Sequence, residues 1–155
     1  MRHRSSVVIG AVTVALIVSA VACGVGGPSG GLKADEEVFR VESGDASMGP
    51  CFISVYGDGR VKGCEGRPYE PQKSRISRAE LDRLVEMVTP DFTEWETCTY
   101  DFPTCVKPYY CACLTIRLHG RSASVLYMRF DQRFPGPQPN GTAASIAGRI
   151  LELVR

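Results

Sequence analysis

The sequence predicts an α+β domain: one antiparallel sheet from two β-hairpin–helix units, both helices on one face, and a disulfide-stapled aromatic insert between the units. Three observations predict it. Two stretches alternate apolar and polar residues on either side of a glycine-bearing turn, each is followed by a segment of helical spacing, and the second set follows the first by about 62 residues. Hairpins and helices in one short chain bury their apolar surfaces by laying the helices on the sheet.

The first hairpin is Phe52-Ile53-Ser54-Val55-Tyr56, the turn Gly57-Asp58-Gly59, and Arg60-Val61-Lys62. A three-residue turn with Gly59 at positive φ sets Val55 opposite Val61 and Ser54 opposite Lys62, so one face stays apolar. Ser77-Arg78-Ala79-Glu80 then reads as a capping box, with Ile76 and Leu81 spaced as a hydrophobic staple. Leu81, Leu84, Val85 and Val88 recur at helical spacing until Thr89-Pro90 ends the helix. The second hairpin, Leu114–Leu118 and Ala123–Tyr127 around His119-Gly120, sets Ile116 opposite Ala123 and Leu114 opposite Val125. Ile146, Ile150, Leu153 and Val154 mark a closing helix, with Asn140 ahead of it as cap, and residues 37–42 can add a further strand.

Composition excludes more than it names. The 155 residues carry 18 basic and 17 acidic side chains, a formal charge of +1, which leaves no basic stripe for nucleic acid. The N-terminus has an exporting pattern: Arg2, His3 and Arg4 precede an uncharged, apolar run from Ser5 to Ala22. Cys23 follows Ala20-Val21-Ala22 and precedes Gly24. On these residues the chain resembles a bacterial lipoprotein precursor with its lipobox. The resemblance implies a signal peptide over residues 1–22, lipid attachment (palmitate-type acylation) at Cys23, and anchorage of the exported chain to a cell-envelope membrane. An uncleaved N-terminal transmembrane anchor and a plainly secreted chain are the alternatives. Residues 24–31 are five-eighths glycine and are expected to be a flexible tether of about 16 Å mean reach, with a single domain over residues 32–155.

Without Cys23 the chain keeps Cys51, Cys64, Cys98, Cys105, Cys111 and Cys113, an even number that reads as three disulfides in an oxidising compartment. Six cysteines allow 15 pairings. Cys111 and Cys113 are neighbours on one strand, too far apart for a bridge, which removes three of these and leaves 12. The spacings do not suit the paired ligands of a structural zinc site, so no metal and no cofactor is expected.

The insert, residues 91–110, holds Phe92, Trp95, Tyr100, Phe102, Tyr109 and Tyr110, six of the thirteen aromatic residues. One reading folds it over the second sheet face, where Cys111, Cys113, Leu126, Met128 and Phe130 are expected to point. The other makes Trp95, Tyr100, Phe102, Tyr109 and Tyr110 an exposed binding surface for an envelope protein or glycan.

The stretch Phe52–Val61 with the capped helix behind it also resembles the Y-G-D-G hairpin of small exported bacterial domains of unassigned function, over about forty residues from Cys51 to Thr89. That resemblance implies no catalytic residue. His119, alone in the mature chain, sits at a turn, and the nucleophile elbow, phosphate loop and zinc-protease helix are all absent. Asp91, Glu94, Glu96 and Asp101 lack the spacing and turn glycine of a calcium loop. The expectation is a membrane-anchored envelope lipoprotein acting as a non-catalytic binding or structural module. A secreted inhibitor-like module and a carboxylate-dependent envelope enzyme are the alternatives.

Overall fold

A computed structural model of the chain describes residues 27–45, 49–64, 70–95, 97, 111–129 and 139–155. The elements are β1 (Glu37–Asp45), β2 (Gly49–Tyr56), β3 (Val61–Gly63), α1 (Arg78–Glu86), a 3-10 turn at Phe92–Glu94, β4 (Cys111–Leu118), β5 (Arg121–Arg129) and α2 (Gly141–Val154). The fold is α+β, with one five-stranded antiparallel sheet ordered β3-β2-β1-β4-β5.

Both hairpin registers follow from their turns. Val55 faces Val61 and Ser54 faces Lys62, while Ile116 faces Ala123 and Leu114 faces Val125. The β4–β5 turn takes positive φ at both His119 and Gly120, the two-residue geometry whose twist matches the strands. The main addition is β1. Residues 37–42 form no edge strand but the middle of the sheet, hydrogen-bonded to β2 on one side and β4 on the other. The two hairpin–helix units therefore share a strand that belongs to neither hairpin motif.

Register assembles the core row by row. Val61, Val55, Phe39, Ile116 and Ala123 lie side by side across the five strands, and Ile53, Val41, Leu114 and Val125 make the next row. Leu81, Leu84 and Val85 of α1 and Ala143, Ile146, Ala147, Ile150, Leu153 and Val154 of α2 join these rows in one buried cluster. Both helices thus cover the same sheet face. At about 25 cal/mol per Å² of apolar surface removed from water, this cluster is the principal source of stability.

The helix N-termini satisfy their free backbone groups as the sequence predicts. Ser77 accepts from the Glu80 N–H at 3.2 Å, and Glu80 accepts from the Ser77 N–H at 2.6 Å. Asn140 Oδ1 accepts from the Ala143 N–H at 2.9 Å, and the Asn140 N–H donates to the Leu126 carbonyl at 2.9 Å, tying α2 to β5. At its other end, the Val154 carbonyl accepts from the N–H groups of Gln72 and Lys73 at 2.8 and 3.1 Å, which closes α2 against the segment leading into α1.

Two expectations are corrected. Residues 27–31 are not a free tether. The Ser29 N–H donates to Asp82 Oδ1 at 3.0 Å, the Ser29 hydroxyl bonds the same oxygen, Ser29 is fully buried, and Leu32 packs on the core. Glycine content predicts flexibility only where nothing nearby offers a partner, and here a carboxylate on α1 does. Strict alternation also fails along β5. Tyr127 joins the core with Val125, as period two places it, but a bulge opposite Ala112 and Cys113 shifts the register so that Met128, expected on the second face with Leu126, pairs with Ala112 and is exposed.

Candidate functional site

The Y-G-D-G turn is a structural junction. A Cβ at Gly57 would run into the Lys33 carbonyl, and one at Gly59, which has φ of +82°, would sit 2.5 Å from the Ile76 carbonyl oxygen. Both positions therefore require glycine. Between them Asp58 accepts from the Arg60 N–H at 3.0 Å and from Arg60 Nε at 2.7 Å, while its backbone carbonyl accepts from Arg75 at 2.6 Å. The hydrogen bond from the Arg60 backbone leads the causes that hold the Asp58 carboxyl below the usual aspartate range, helped by the charges of Arg60 and Arg75. The Val61 and Ile76 N–H groups pair with Ser74 and Gly59 carbonyls, so residues 74–76 cover the outer edge of β3.

The sheet face away from the helices carries the concentrated charge. Its rows are Phe52, Glu42, Cys113, Leu126; then Lys62, Ser54, Arg40, Thr115, Ser124; then Tyr56 beside Glu37 and Arg117 beside Ser122. Glu37 joins this face because a bulge after it turns Val38 into the core. The Glu37 carboxylate accepts from the Ser54 hydroxyl at 2.6 Å and from Arg117, and lies 3.7 Å from Arg40. Burial pushes its pKa up, but the hydrogen bonds from Ser54 and Arg117 and the charges of Arg117 and Arg40 outweigh that. The net result is a carboxyl below the usual glutamate range, ionised at neutral pH. Ser54 is itself fully buried, so this bond satisfies a hydroxyl that has no access to water.

Around Glu37 the cations lie over aromatic rings. Arg40 stacks on Phe52 at 4.1 Å from the ring centre and reaches Glu42 at 3.4 Å, and Arg60 and Lys62 lie 5.1 and 5.5 Å from the Tyr56 ring. The Thr115 and Ser124 hydroxyls bond at 3.2 Å. This arrangement can offer guanidinium donors and aromatic edges to a partner. A carboxylate saturated by Ser54 and Arg117 makes a poor general base, and one ionised at neutral pH makes a poor general acid. The row's far end is different, since Cys113 and Leu126 are buried on this otherwise polar face.

The residues singled out from sequence separate in space. Trp95 is half-buried and packs against the main core, with Phe92 buried before it, so the start of the insert belongs to the core and Trp95 is no exposed lip. Arg121 stacks over the Phe92 ring at 5.0 Å and donates to the Pro90 carbonyl at 2.7 Å, fixing that segment beside β5. Tyr100, Phe102, Tyr109, Tyr110, Cys98, Cys105 and Cys23 lie outside the described residues. Cys111 opens β4. Cys113 is disulfide-bonded, and Cys51 and Cys64 lie 2.7 Å apart.

His119 is exposed at its turn, and Asp91 and Glu94 are exposed. Among the described residues no three His, Cys, Asp or Glu side chains gather as a metal site, and no helix is long and apolar enough to cross a membrane. An open groove of about 480 Å³ runs along β3, lined by Lys62, Glu70, Pro71 and Gln72 among others. The Glu37 cluster was not identified from sequence. Its one advance signal is the pair Arg40 and Glu42 at strand spacing, while Glu37 itself is displaced from that period by the bulge.

No protein-family model, curated protein or solved structure matches this chain.

Proposed function

We propose that this protein is an exported lipoprotein of a bacterial cell envelope, anchored to its membrane through lipidated Cys23, whose folded part is a non-catalytic binding or structural module. The observation that carries the reading is the Cys113 disulfide in a chain that opens with a basic head, an apolar run and a small-residue-flanked cysteine. Disulfides persist in exported proteins and are rare in the cytosol. Two or more acyl chains on Cys23, at about 0.8 kcal/mol per buried methylene, would make the attachment effectively permanent.

The aromatic insert belongs to this reading as a disulfide-stapled cover for the end of the polar face. Burial of Cys113 and Leu126 there supports the cover, and the Cys113 disulfide supports the staple. The docking of Ser29 on α1 adds a geometric consequence. Only residues 24–26 separate Cys23 from the first described residue, so the lipidated cysteine lies at most about 14 Å along the chain from Gly27. The module therefore rides close against its membrane. The Arg40–Phe52 and Tyr56–Arg60 stacks are the groups it presents to an envelope protein or glycan.

The test is detergent phase separation of the full chain made in a bacterium, beside Cys23→Ala. The wild type is expected in the detergent phase at the mass of a chain beginning at Cys23, and the variant should lose both properties. A wild-type chain in the aqueous phase, or one carrying residues 1–22, would remove the proposal.

A further inference from the structure

β2 and β3 bring two cysteines together at the open end of their hairpin. The ladder runs Val55 to Val61, Ser54 to Lys62 and Ile53 to Gly63, and there β3 stops. Phe52 and Cys64 come next. The Phe52 N–H donates to Cys64 Sγ at 3.1 Å, drawing that sulfur across the strand, and Cys51 and Cys64 come within 2.7 Å of each other. Cys51 is buried, whereas Cys64, one residue past the ladder, is partly open to solvent. Cys113 lies elsewhere. It faces Glu42 across β4 and β1, and Glu42 faces Phe52, so β1 stands between it and the pair.

We propose that Cys51 and Cys64 form a disulfide that locks the β2–β3 hairpin. Its occurrence in the cell rests on the export reading, but the choice of partners rests on the hairpin geometry, the end of the β2–β3 ladder and the 2.7 Å approach of the two residues. The chemistry is thiol–disulfide exchange, and the oxidant is a protein or small-molecule disulfide. The more accessible Cys64, as thiolate, attacks one sulfur of the oxidant and releases the other as a thiolate, leaving a mixed disulfide. Cys51, losing its proton, then attacks Cys64 Sγ and releases the second thiolate. Two thiols are oxidised, one external disulfide is reduced to two thiols, and the two protons lost here are the two gained there. With this pair assigned, Cys98, Cys105, Cys111 and Cys113 remain. Since Cys111 and Cys113 cannot bridge each other, the 12 pairings open to the sequence fall to two: Cys98–Cys111 with Cys105–Cys113, or Cys98–Cys113 with Cys105–Cys111.

Tryptic mapping reads this directly, because trypsin does not cleave before proline. Cys51 falls in peptide 41–60, Cys64 in 63–73, and all four remaining cysteines in the single peptide 84–117. The full chain is alkylated and digested without reduction in two arms: as isolated from the producing bacterium, and after the reduced chain has equilibrated with a glutathione redox buffer. The expected map in the glutathione arm joins 41–60 to 63–73, with 84–117 separate and lighter by the four hydrogens that two internal disulfides remove. Either small peptide linked to 84–117 overturns the pairing, as does a glutathione arm with 84–117 oxidised and Cys51 and Cys64 both alkylated. An alkylated chain as isolated, with the expected map in the glutathione arm, supports the pairing and removes the export reading instead. Cys64→Ser should leave one alkylatable thiol, Cys51, and an unchanged 84–117.

Discussion

Glu37 allows charge and hydrogen bonding to be separated on one side chain. Its carboxylate holds the buried Ser54 hydroxyl at 2.6 Å and pairs with Arg117, while its own side chain is 18% exposed and that of Arg117 43% exposed. Glu37→Gln keeps an oxygen for Ser54 and removes the charge. A hydrogen bond to a charged group contributes about 1.5–3 kcal/mol, but exposure of Arg117 and screening by salt reduce the charge's share to about 1 kcal/mol. Glu37→Ala also strands the Ser54 hydroxyl away from water, which adds about 1–3 kcal/mol. Urea unfolding of the oxidised chain at neutral pH should therefore give losses of about 1 kcal/mol for Gln and about 3 kcal/mol for Ala. The folded carboxyl titrates below its unfolded value, so its contribution is fully present above the unfolded value and fades as pH falls through the folded one. The wild type and Glu37→Gln should accordingly converge in acid, beginning near the ordinary glutamate value of about 4.3. Equal losses for Gln and Ala, or a gap that widens as pH falls, would refute the assignment of Glu37 as the group satisfying Ser54 and balancing Arg117.

Other perturbations test the architecture. Phe39→Ala, at a fully buried position of the central strand, should cost about 3–5 kcal/mol in chemical unfolding, more than an edge position would. Gly59→Ala meets both the positive φ and the Ile76 carbonyl, whereas Gly120→Ala meets the positive φ in open space, so thermal unfolding should show the larger loss for Gly59. Ser29→Ala removes a hydroxyl bond to Asp82, and limited proteolysis should then cut faster within residues 27–33, with the sheet's hydrogen-exchange protection unchanged.

What the sequence makes legible here is local. The registers Val55–Val61 and Leu114–Val125 follow from a turn length and an alternation that lie within a few residues of each other, and the Ser77–Glu80 cap spans a single helical turn. The place of β1 is different. Nothing between Glu37 and Asp45 says that β2 and β4 will pair on its two sides, because that choice depends on a strand more than sixty residues away in the chain. The candidate site inherits the same difficulty. Glu37 and Arg117 are 80 residues apart, and the bulge that turns Glu37 to the polar face shifts it out of the period that marks Arg40 and Glu42. Ser29 shows the complementary failure. A glycine-rich composition describes the backbone's freedom, and it says nothing of a carboxylate on α1 that bonds both the Ser29 amide and hydroxyl.

The export reading meets its most direct test in the intact mass of the full chain recovered, without reduction, from the membrane fraction of the bacterium that makes it. The account predicts a polypeptide starting at Cys23, heavier by its acyl groups and lighter by the six hydrogens of three disulfides. A mass matching a chain that starts at Met1, unacylated and with every thiol reduced, would contradict it.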